Sequence, residues 1–243
     1  MIIGICDYGI GGVSLYKRLR ERSDVDVIYY SDAGYVPYGK VPEDELREQV
    51  QKVIDFLFDQ GAEYVAVACN AASTVLPTNP RVSGIIEHGL QVVRSAEIAK
   101  TGVVGGYRTI ESNSYKTPLE LEGITVKQVV AQALSIRIEA GDLNSVDLHN
   151  DIQAIFSPLV ACEAVLLACT HYPVIAEQIN AAFPNLKLLD PIDEMLEQLC
   201  ARLPNMKGEN RVKWMTSGDC ETMKQAIDKA FNLRNLTIEK HIL

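Results

Sequence analysis

The sequence predicts an α/β protein with parallel sheets, and three observations predict it. Short apolar runs rich in β-branched residues alternate with amphipathic stretches of helical length, the pattern of strands buried on both faces and joined by crossover helices. The 243 residues, 47% of them hydrophobic, supply material for one large core or two smaller ones. An internal echo gives each half a matching element: Tyr64-Val65-Ala66-Val67-Ala68-Cys69-Asn70 and Ala164-Val165-Leu166-Leu167-Ala168-Cys169-Thr170 are both apolar strands ending in Ala-Cys-polar.

Taken in order, strands are expected at Ile2–Cys6, Val25–Ser31, Tyr64–Ala68, Gly84–Ile86, Thr101–Gly105, Thr125–Val129, Ala164–Ala168, Leu186–Leu189 and Val212–Thr216. The clearest helix is 43–60, where Leu46, Val50, Val53, Ile54 and Leu57 recur at three-to-four spacing behind Pro42, whose missing N–H costs little at a helix start. Pro191 plays the same part ahead of a helix over 192–203, and Asp219 is placed to cap one over 221–230. Strand grouping puts divisions near residues 95–100 and near 205.

Composition excludes several classes of function. A net charge of −9 with no Lys/Arg run argues against nucleic acid, which needs a cationic surface. The opening MIIGICDYGIGG lacks a basic n-region, and no apolar run approaches membrane-spanning length, so a cytoplasmic protein without a membrane partner is expected. The six cysteines form no CxxC pair and no spaced Cys/His set, so neither a metal site nor a disulfide framework is expected.

The chemistry lies at strand ends, because ligands of open parallel sheets bind beyond the carboxyl ends of the strands. Cys69 precedes Asn70-Ala71-Ala72-Ser73 and Cys169 precedes Thr170-His171-Tyr172-Pro173, so each is expected at a strand-to-helix turn. A lone cysteine is more often a small buried hydrophobe. Here Cys169-Thr170-His171-Tyr172-Pro173 is a dense polar cluster directly after a fully apolar strand, where a structural turn more often uses Gly, Asn or Asp, and Asp7-Tyr8-Gly9 with Gly11-Gly12 adds a carboxylate and a glycine-rich turn after the first strand. Two opposed thiols suit proton transfer at the two faces of one carbon: an ordinary thiol has a pKa of about 8.5, within reach of a helix N-terminus or a neighbouring cation.

These segments resemble the glutamate racemases of the aspartate/glutamate racemase superfamily. The resemblance runs through Asp7-Tyr8-Gly9-Ile10-Gly11-Gly12, Asp32-Ala33-Gly34-Tyr35-Val36-Pro37-Tyr38-Gly39, Ala68-Cys69-Asn70-Ala71-Ala72-Ser73, Ile85-Ile86-Glu87-His88-Gly89, Gly102-Val103-Val104-Gly105, Ala168-Cys169-Thr170-His171-Tyr172-Pro173 and Thr216-Ser217-Gly218-Asp219. It implies two pseudo-symmetric Rossmann-like or flavodoxin-like domains, 1–97 with 207–243 and 98–206, with the active-site cleft between them. It also implies a cofactor-independent reaction in which Cys69 and Cys169 exchange the roles of base and acid on L- and D-glutamate, supplying D-glutamate for peptidoglycan. Asp7 and His171 would be their polar partners, and Glu139 matches more loosely an acidic residue near the second cysteine. Asn70 and Thr170 would hold the α-carboxylate and α-amino groups, and the backbone N–H groups of Tyr38 and Gly39, after Pro37, the side-chain carboxylate. A homodimer is the expected assembly, of a geometry left open.

Two residues depart from the resemblance. The family usually carries Ser where this chain has Tyr8 and Thr where it has Ala71, and both normally donate hydrogen bonds to substrate oxygens. A racemase of aspartate or another amino acid is therefore a second reading, and a catalytically inactive acidic amino-acid-binding or regulatory homologue a third. The stretch Thr74–Ser83 is shorter than the family norm and holds two prolines, so the helix after Cys69 is expected to be truncated. His88 is expected to shape a loop and His149 and His241 to be exposed; Trp214, Cys6, Cys162, Cys200 and Cys220 are expected in packing roles.

Overall fold

The structure, a computed structural model, describes residues 1–204 and 207–243. Its strands are β1 (Ile2–Asp7), β2 (Asp26–Ser31), β3 (Tyr64–Val67), β4 (Val82–Gly84), β5 (Lys100–Gly105), β6 (Thr125–Val130), β7 (Ala164–Ala168), β8 (Lys187–Leu189), β9 (Val212–Thr216) and β10 (Ile238–Lys240). They pair in parallel into a six-stranded sheet, order β10-β9-β2-β1-β3-β4, and a four-stranded sheet, order β6-β5-β7-β8. The order β2-β1-β3-β4 repeats as β6-β5-β7-β8, so the echo in sequence is also one of topology, and β3 and β7, the strands that lead into Cys69 and Cys169, occupy the same place. The C-terminal β9 and β10 return beside β2 and complete the first sheet. Of the boundary expected at 206 and 207, residue 206 lies outside the described residues.

Helices fill the crossovers: α1 (Val13–Arg20), α2 (Glu43–Asp59), α3 (Asn70–Ser73), α4 (Ile85–Ser95), α5 (Tyr107–Glu111), α6 (Lys116–Leu121), α7 (Gln132–Glu139), α8 (Val146–Phe156), α9 (Ala176–Ala182), α10 (Pro191–Arg202) and α11 (Cys220–Phe231). The caps follow the residue types: Pro42 stands at the N-cap of α2, Pro191 opens α10 behind Asp190, and the Asp219 side chain accepts from Thr222 N at the start of α11.

Strand residues alternate between two cores, as a pleat covered on both faces requires. In the first sheet Ile3, Ile5, Val27, Tyr29 and Trp214 face α1, α10 and α11, while Ile28, Tyr30, Val65, Val67 and Met215 meet Leu46, Val50, Val53, Ile54 and Leu57 of α2 on the other face. Val104, Val165 and Leu167 against Val103, Leu166 and Ala168 make the same division in the second sheet. Fully burying one such side chain contributes about 1.5–3 kcal/mol, so the two-sided pattern outweighs any local preference. No helix among the described residues is long and apolar enough to cross a membrane.

Three elements differ from expectation. The strand expected at Gly84–Ile86 lies at Val82–Gly84, because Gly84 is the extended N-cap of α4 and the buried Ile85 and Ile86 belong to the helix. β10 was absent from the expected set: of its three residues only Ile238 is buried, so it carries no apolar run to read. His241, expected to be exposed, is half-buried with its ring stacked on Phe56 at 4.3 Å, and its carbonyl accepts from the Tyr30 hydroxyl.

His88, expected to shape a loop, lies instead buried within α4, 2.7 Å from Ser83 Oγ through Nε2. Burial, assisted by the charge of Arg202, pulls it from the ordinary 6.5 down to about 4. The unfolded chain therefore takes up a proton at a pH where the folded one does not, so this contribution to stability is full above 6.5 and is lost as the pH falls towards 4. In urea melts near about pH 7 and about pH 4.5, the loss of stability on acidification is expected to be smaller in His88→Gln than in the parent. An equal loss in both proteins would show that His88 does not titrate in this window.

Candidate active site

In a sheet of order β2-β1-β3-β4 the chain leaves β1 to one side and enters β3 on the other, and the crevice opens where those two strands end. The residues there are Asp7, the last of β1, and Cys69, two residues beyond β3. At the equivalent place in the second sheet stand Gly105, the last of β5, and Cys169, directly after β7.

Cys69 is buried and is the N-cap of the four-residue α3, so the helix that follows it is short, as the two prolines between Thr74 and Ser83 led us to expect. Burial first, and the Asp7 carboxylate second, push its thiol well above the ordinary range, while N–H groups of Ala72 and Tyr8 pull the other way. A charge on Cys169 also opposes ionisation of Cys69. The free site therefore holds Cys69 as the thiol.

Cys169 is half-buried and is followed by a 3₁₀ turn, Tyr172–Ile175, before α9 begins, rather than by an α-helix. His171 lies between two partners: Nδ1 is 3.5 Å from Cys169 Sγ and Nε2 is 2.6 Å from Glu139 Oε1. Burial alone would lower the imidazole, but the hydrogen bonds to Cys169 and Glu139, with the charges of both, hold it well above its usual range. Burial likewise works to raise Glu139, and His171 together with the Ile10 N–H takes it below the usual carboxylate range. His171 Nδ1 thus faces the Cys169 sulfur, and the Glu139 carboxylate on the other ring nitrogen favours the imidazolium.

The glycine-rich turn after β1 lies against this group. Ile10 N donates to Glu139 Oε1 at 2.9 Å and Thr170 Oγ1 donates to Asp7 Oδ2 at 2.8 Å, so hydrogen bonds cross between the two sheets at the site. A Cβ on Gly9 would run into the Glu139 carboxylate, and one on Gly11 into the Thr170 and His171 side chains. This turn needs glycine for close approach.

The loop carrying Pro37, Tyr38 and Gly39 is fixed from three sides. Tyr38 is buried and donates to Asp32 Oδ2 at 2.7 Å, and the same carboxylate group accepts from Gln49 Nε2 at 3.0 Å and Ser217 Oγ at 2.8 Å. Arg108 of α5 reaches over from the second sheet, donating from Nε to Tyr38 O at 3.0 Å and from a terminal nitrogen to Val41 O. Pro37 is exposed, and a Cβ on Gly39 would come into ordinary van der Waals contact with Gln132 and Tyr107. Tyr8 packs on Tyr38 with ring centroids 5.0 Å apart and donates its hydroxyl to Tyr35 O at 3.1 Å. Burial and, after it, the charges of Asp32, Glu139 and Cys69 push that phenol up to about 12, so it stays protonated.

Asn70 is buried; its Oδ1 accepts from the Tyr115 hydroxyl at 2.7 Å, and its Nδ2 has no partner among the described residues. Half-buried Ala71, next to it, offers no hydroxyl. Tyr115, Arg108, Asp32, Gln49 and Ser217 were not among the expected site residues. Asp32 and Ser217 lay inside quoted motifs, whereas Tyr115 and Arg108 carry no local signal and are recruited by contacts between the two halves.

The remaining singled-out residues stand in other settings. Trp214 is buried between Tyr16 and Tyr29, His149 is exposed, and Cys6, Cys162, Cys200 and Cys220 lie within or at the edge of apolar cores. No group of three or more His, Cys, Asp or Glu placed to hold a metal ion occurs among the described residues.

Comparison with known proteins agrees with this arrangement. The profile of the family described as Asp/Glu/Hydantoin racemase matches residues 13–199. A glutamate racemase of Exiguobacterium sibiricum is 33% identical over 218 residues, covering 83% of this chain and 79% of that protein. The crystal structure of a glutamate racemase from Thermus thermophilus, in complex with β-chloro-D-alanine, superposes with a TM-score of 0.88 at 25% identity, covering 99% of this chain and 96% of that one. A Campylobacter jejuni glutamate racemase superposes with a TM-score of 0.84 at 27% identity, covering 97% and 100%. With its paired sheets, the cysteine at each equivalent strand end and these relatives, the chain belongs to the Asp/Glu/Hydantoin racemase family, among the glutamate racemases.

Proposed function

We propose that this protein interconverts L- and D-glutamate by moving the Cα proton between two cysteines, without a cofactor, and that it supplies D-glutamate for peptidoglycan in the bacterial cytoplasm. The observation that carries the mechanism is the pair of thiols at topologically equivalent strand ends, with His171 Nδ1 3.5 Å from Cys169 Sγ and the Asp7 carboxylate near enough to Cys69 to act on it through its charge. The names of the relatives support the substrate. A division into domains 1–97 with 207–243 and 98–206 goes with this reading and is supported by the membership of the two sheets.

In one direction Cys169, its proton taken up by His171, abstracts the Cα proton; the electron pair left on carbon delocalises into the α-carboxylate, and the Cys69 thiol protonates the opposite face. The reverse reaction exchanges the two roles. A charge on Cys169 opposes a charge on Cys69, so the two sulfurs do not readily ionise together, and a two-base transfer uses one thiol and one thiolate. In this reading Asp7 and His171 serve the two sulfurs, Glu139 holds His171, Asn70 and Thr170 take the α-carboxylate and α-amino groups, and Tyr38 and Gly39 take the side-chain carboxylate through backbone N–H groups. Aspartate or another amino acid is a second reading, favoured by one observation: the Tyr8 hydroxyl is committed to Tyr35 O and Ala71 has none, so two expected donors to the substrate are missing.

Incubation with L- and D-glutamate in D₂O is expected to drive the circular dichroism to zero from either enantiomer with uptake of deuterium at Cα. Cys69→Ser and Cys169→Ser are each expected to lower kcat at least about a hundredfold, since each removes an acid/base group. Exchange with aspartate but not glutamate would establish the second reading, and exchange with no acidic amino acid would sink both.

Glu139→Gln keeps a hydrogen-bond acceptor for His171 and removes the charge that favours the imidazolium. It is expected to lower kcat at least about tenfold, with KM changed less than about threefold, in steady-state assays of both directions. An unchanged kcat would remove Glu139 from the proton path.

A further inference from the structure

Asn70 enters the site with half of its amide committed and half free. Its Oδ1 accepts the Tyr115 hydroxyl at 2.7 Å, and its Nδ2, equally out of contact with solvent, has no partner among the described residues. Buried polar groups are normally paired, so an unpaired amide donor next to Cys69 marks a place where a ligand acceptor completes the pairing.

The direction of the amide follows from the hydrogens. The Tyr115 ring and hydroxyl are fully buried, and Asn70 is the partner of that hydroxyl. Were the amide reversed, Nδ2 would donate to the phenol oxygen, stranding both the phenol proton and Oδ1 in the interior. The phenol, a donor held in place, therefore fixes Oδ1 on its own side and leaves the NH₂ group for another partner.

Tyr115 is the N-cap of α6, between two strands of the second sheet, whereas Asn70 follows β3 of the first, so this hydrogen bond spans the two halves. Room for the ring comes from Gly89 in α4, where a Cβ would lie 2.6 Å from Tyr115 Cε1 and 2.7 Å from its hydroxyl oxygen. Away from such a contact, alanine stabilises a helix relative to glycine, so the glycine at this position serves the tyrosine and not the helix.

We propose that Tyr115 is a positioning residue for the reaction: its hydroxyl orients the Asn70 amide so that Nδ2 is presented as a donor to the substrate α-carboxylate, with Gly89 making the space. The proposal rests on the reading of Asn70 as a substrate-carboxylate donor given above. Tyr115→Phe keeps the ring and removes the hydroxyl, so the amide is free to rotate. KM for both enantiomers is expected to rise about tenfold while kcat changes less than about threefold, and the melting temperature to fall by several degrees, on the order of the cost of a buried acceptor that loses its donor.

The double-mutant cycle separates orientation from general structure. If Tyr115 acts through Asn70, then Tyr115→Phe placed on Asn70→Ala changes KM less than about twofold. Gly89→Ala, which pushes the ring away while keeping the phenol, is expected to raise KM as Tyr115→Phe does. A KM in Tyr115→Phe within about twofold of the parent, or single effects that multiply fully in the double variant, would overturn the proposal. A parent protein that exchanges no Cα proton of glutamate in D₂O would instead overturn the reading on which it rests, so the two failures are told apart by the parent alone.

Discussion

The contact on which the site depends is the approach of the Gly9–Gly12 turn to the Thr170–His171 segment. Ile10 N–H and His171 Nε2 share one Glu139 oxygen, and Asp7 and Thr170 join through a second bond a few residues away. Backbone from the first sheet thereby becomes part of the environment of the second cysteine. Gly9 and Gly11 are required because a Cβ at either would occupy the place of the Glu139, Thr170 or His171 side chain. Charge-assisted hydrogen bonds are worth about 1.5–3 kcal/mol net where fully buried, and less here, because the Glu139 side chain is 36% exposed and solvent screens its charge.

The buried Asp32 carboxylate performs a similar task for the rim. Tyr38, Gln49 and Ser217 each give it a hydrogen, and Ser217 Oγ in turn accepts from Gly34 N at 2.9 Å. The three donors come from the Pro37–Gly39 loop, from α2 and from the turn after β9, so the C-terminal strand returns to the first sheet with a part in shaping the site. A buried carboxylate persists only when fully satisfied, which ties the geometry of that loop to the last third of the chain. Arg108 adds a clamp from the second sheet through two backbone carbonyls, and the rim is then held by both halves.

Much of this was legible in the sequence because a parallel sheet writes its strands as apolar runs and its site at their ends. The repeated Ala-Cys-polar ending located both cysteines before any contact was known, and Asp7 and His171 were legible beside them. Elements without an apolar run escaped: β10 buries only Ile238, and the pair Ile85-Ile86 read as strand because β-branched residues serve a buried helix face equally well. Glu139, weak as a motif, is placed by a 2.6 Å contact with His171 over 32 positions of sequence. Tyr115 and Arg108 were illegible for the same reason: each reaches the site through a partner 45 and 70 positions away, respectively, and no local pattern encodes such a pairing.

The scaffold is symmetric and the chemistry is not. Cys69 is buried, held towards the thiol by burial and Asp7, and touched by backbone N–H groups, whereas the half-buried Cys169 has His171 Nδ1 3.5 Å from its sulfur. In the proposed two-cysteine mechanism that difference lets one wall act as acid while the other acts as base, and a turnover in either direction inverts the roles. The same asymmetry bears on recognition. On the Cys69 side the Tyr8 hydroxyl is committed to the Tyr35 carbonyl and Ala71 has none, while Asn70 Nδ2 is without a partner among the described residues. In the proposed reading a carboxylate is then met there by N–H groups, and an amide, unlike a rotating hydroxyl, has a direction that must be set from behind. Tyr115 stands in the position to set it.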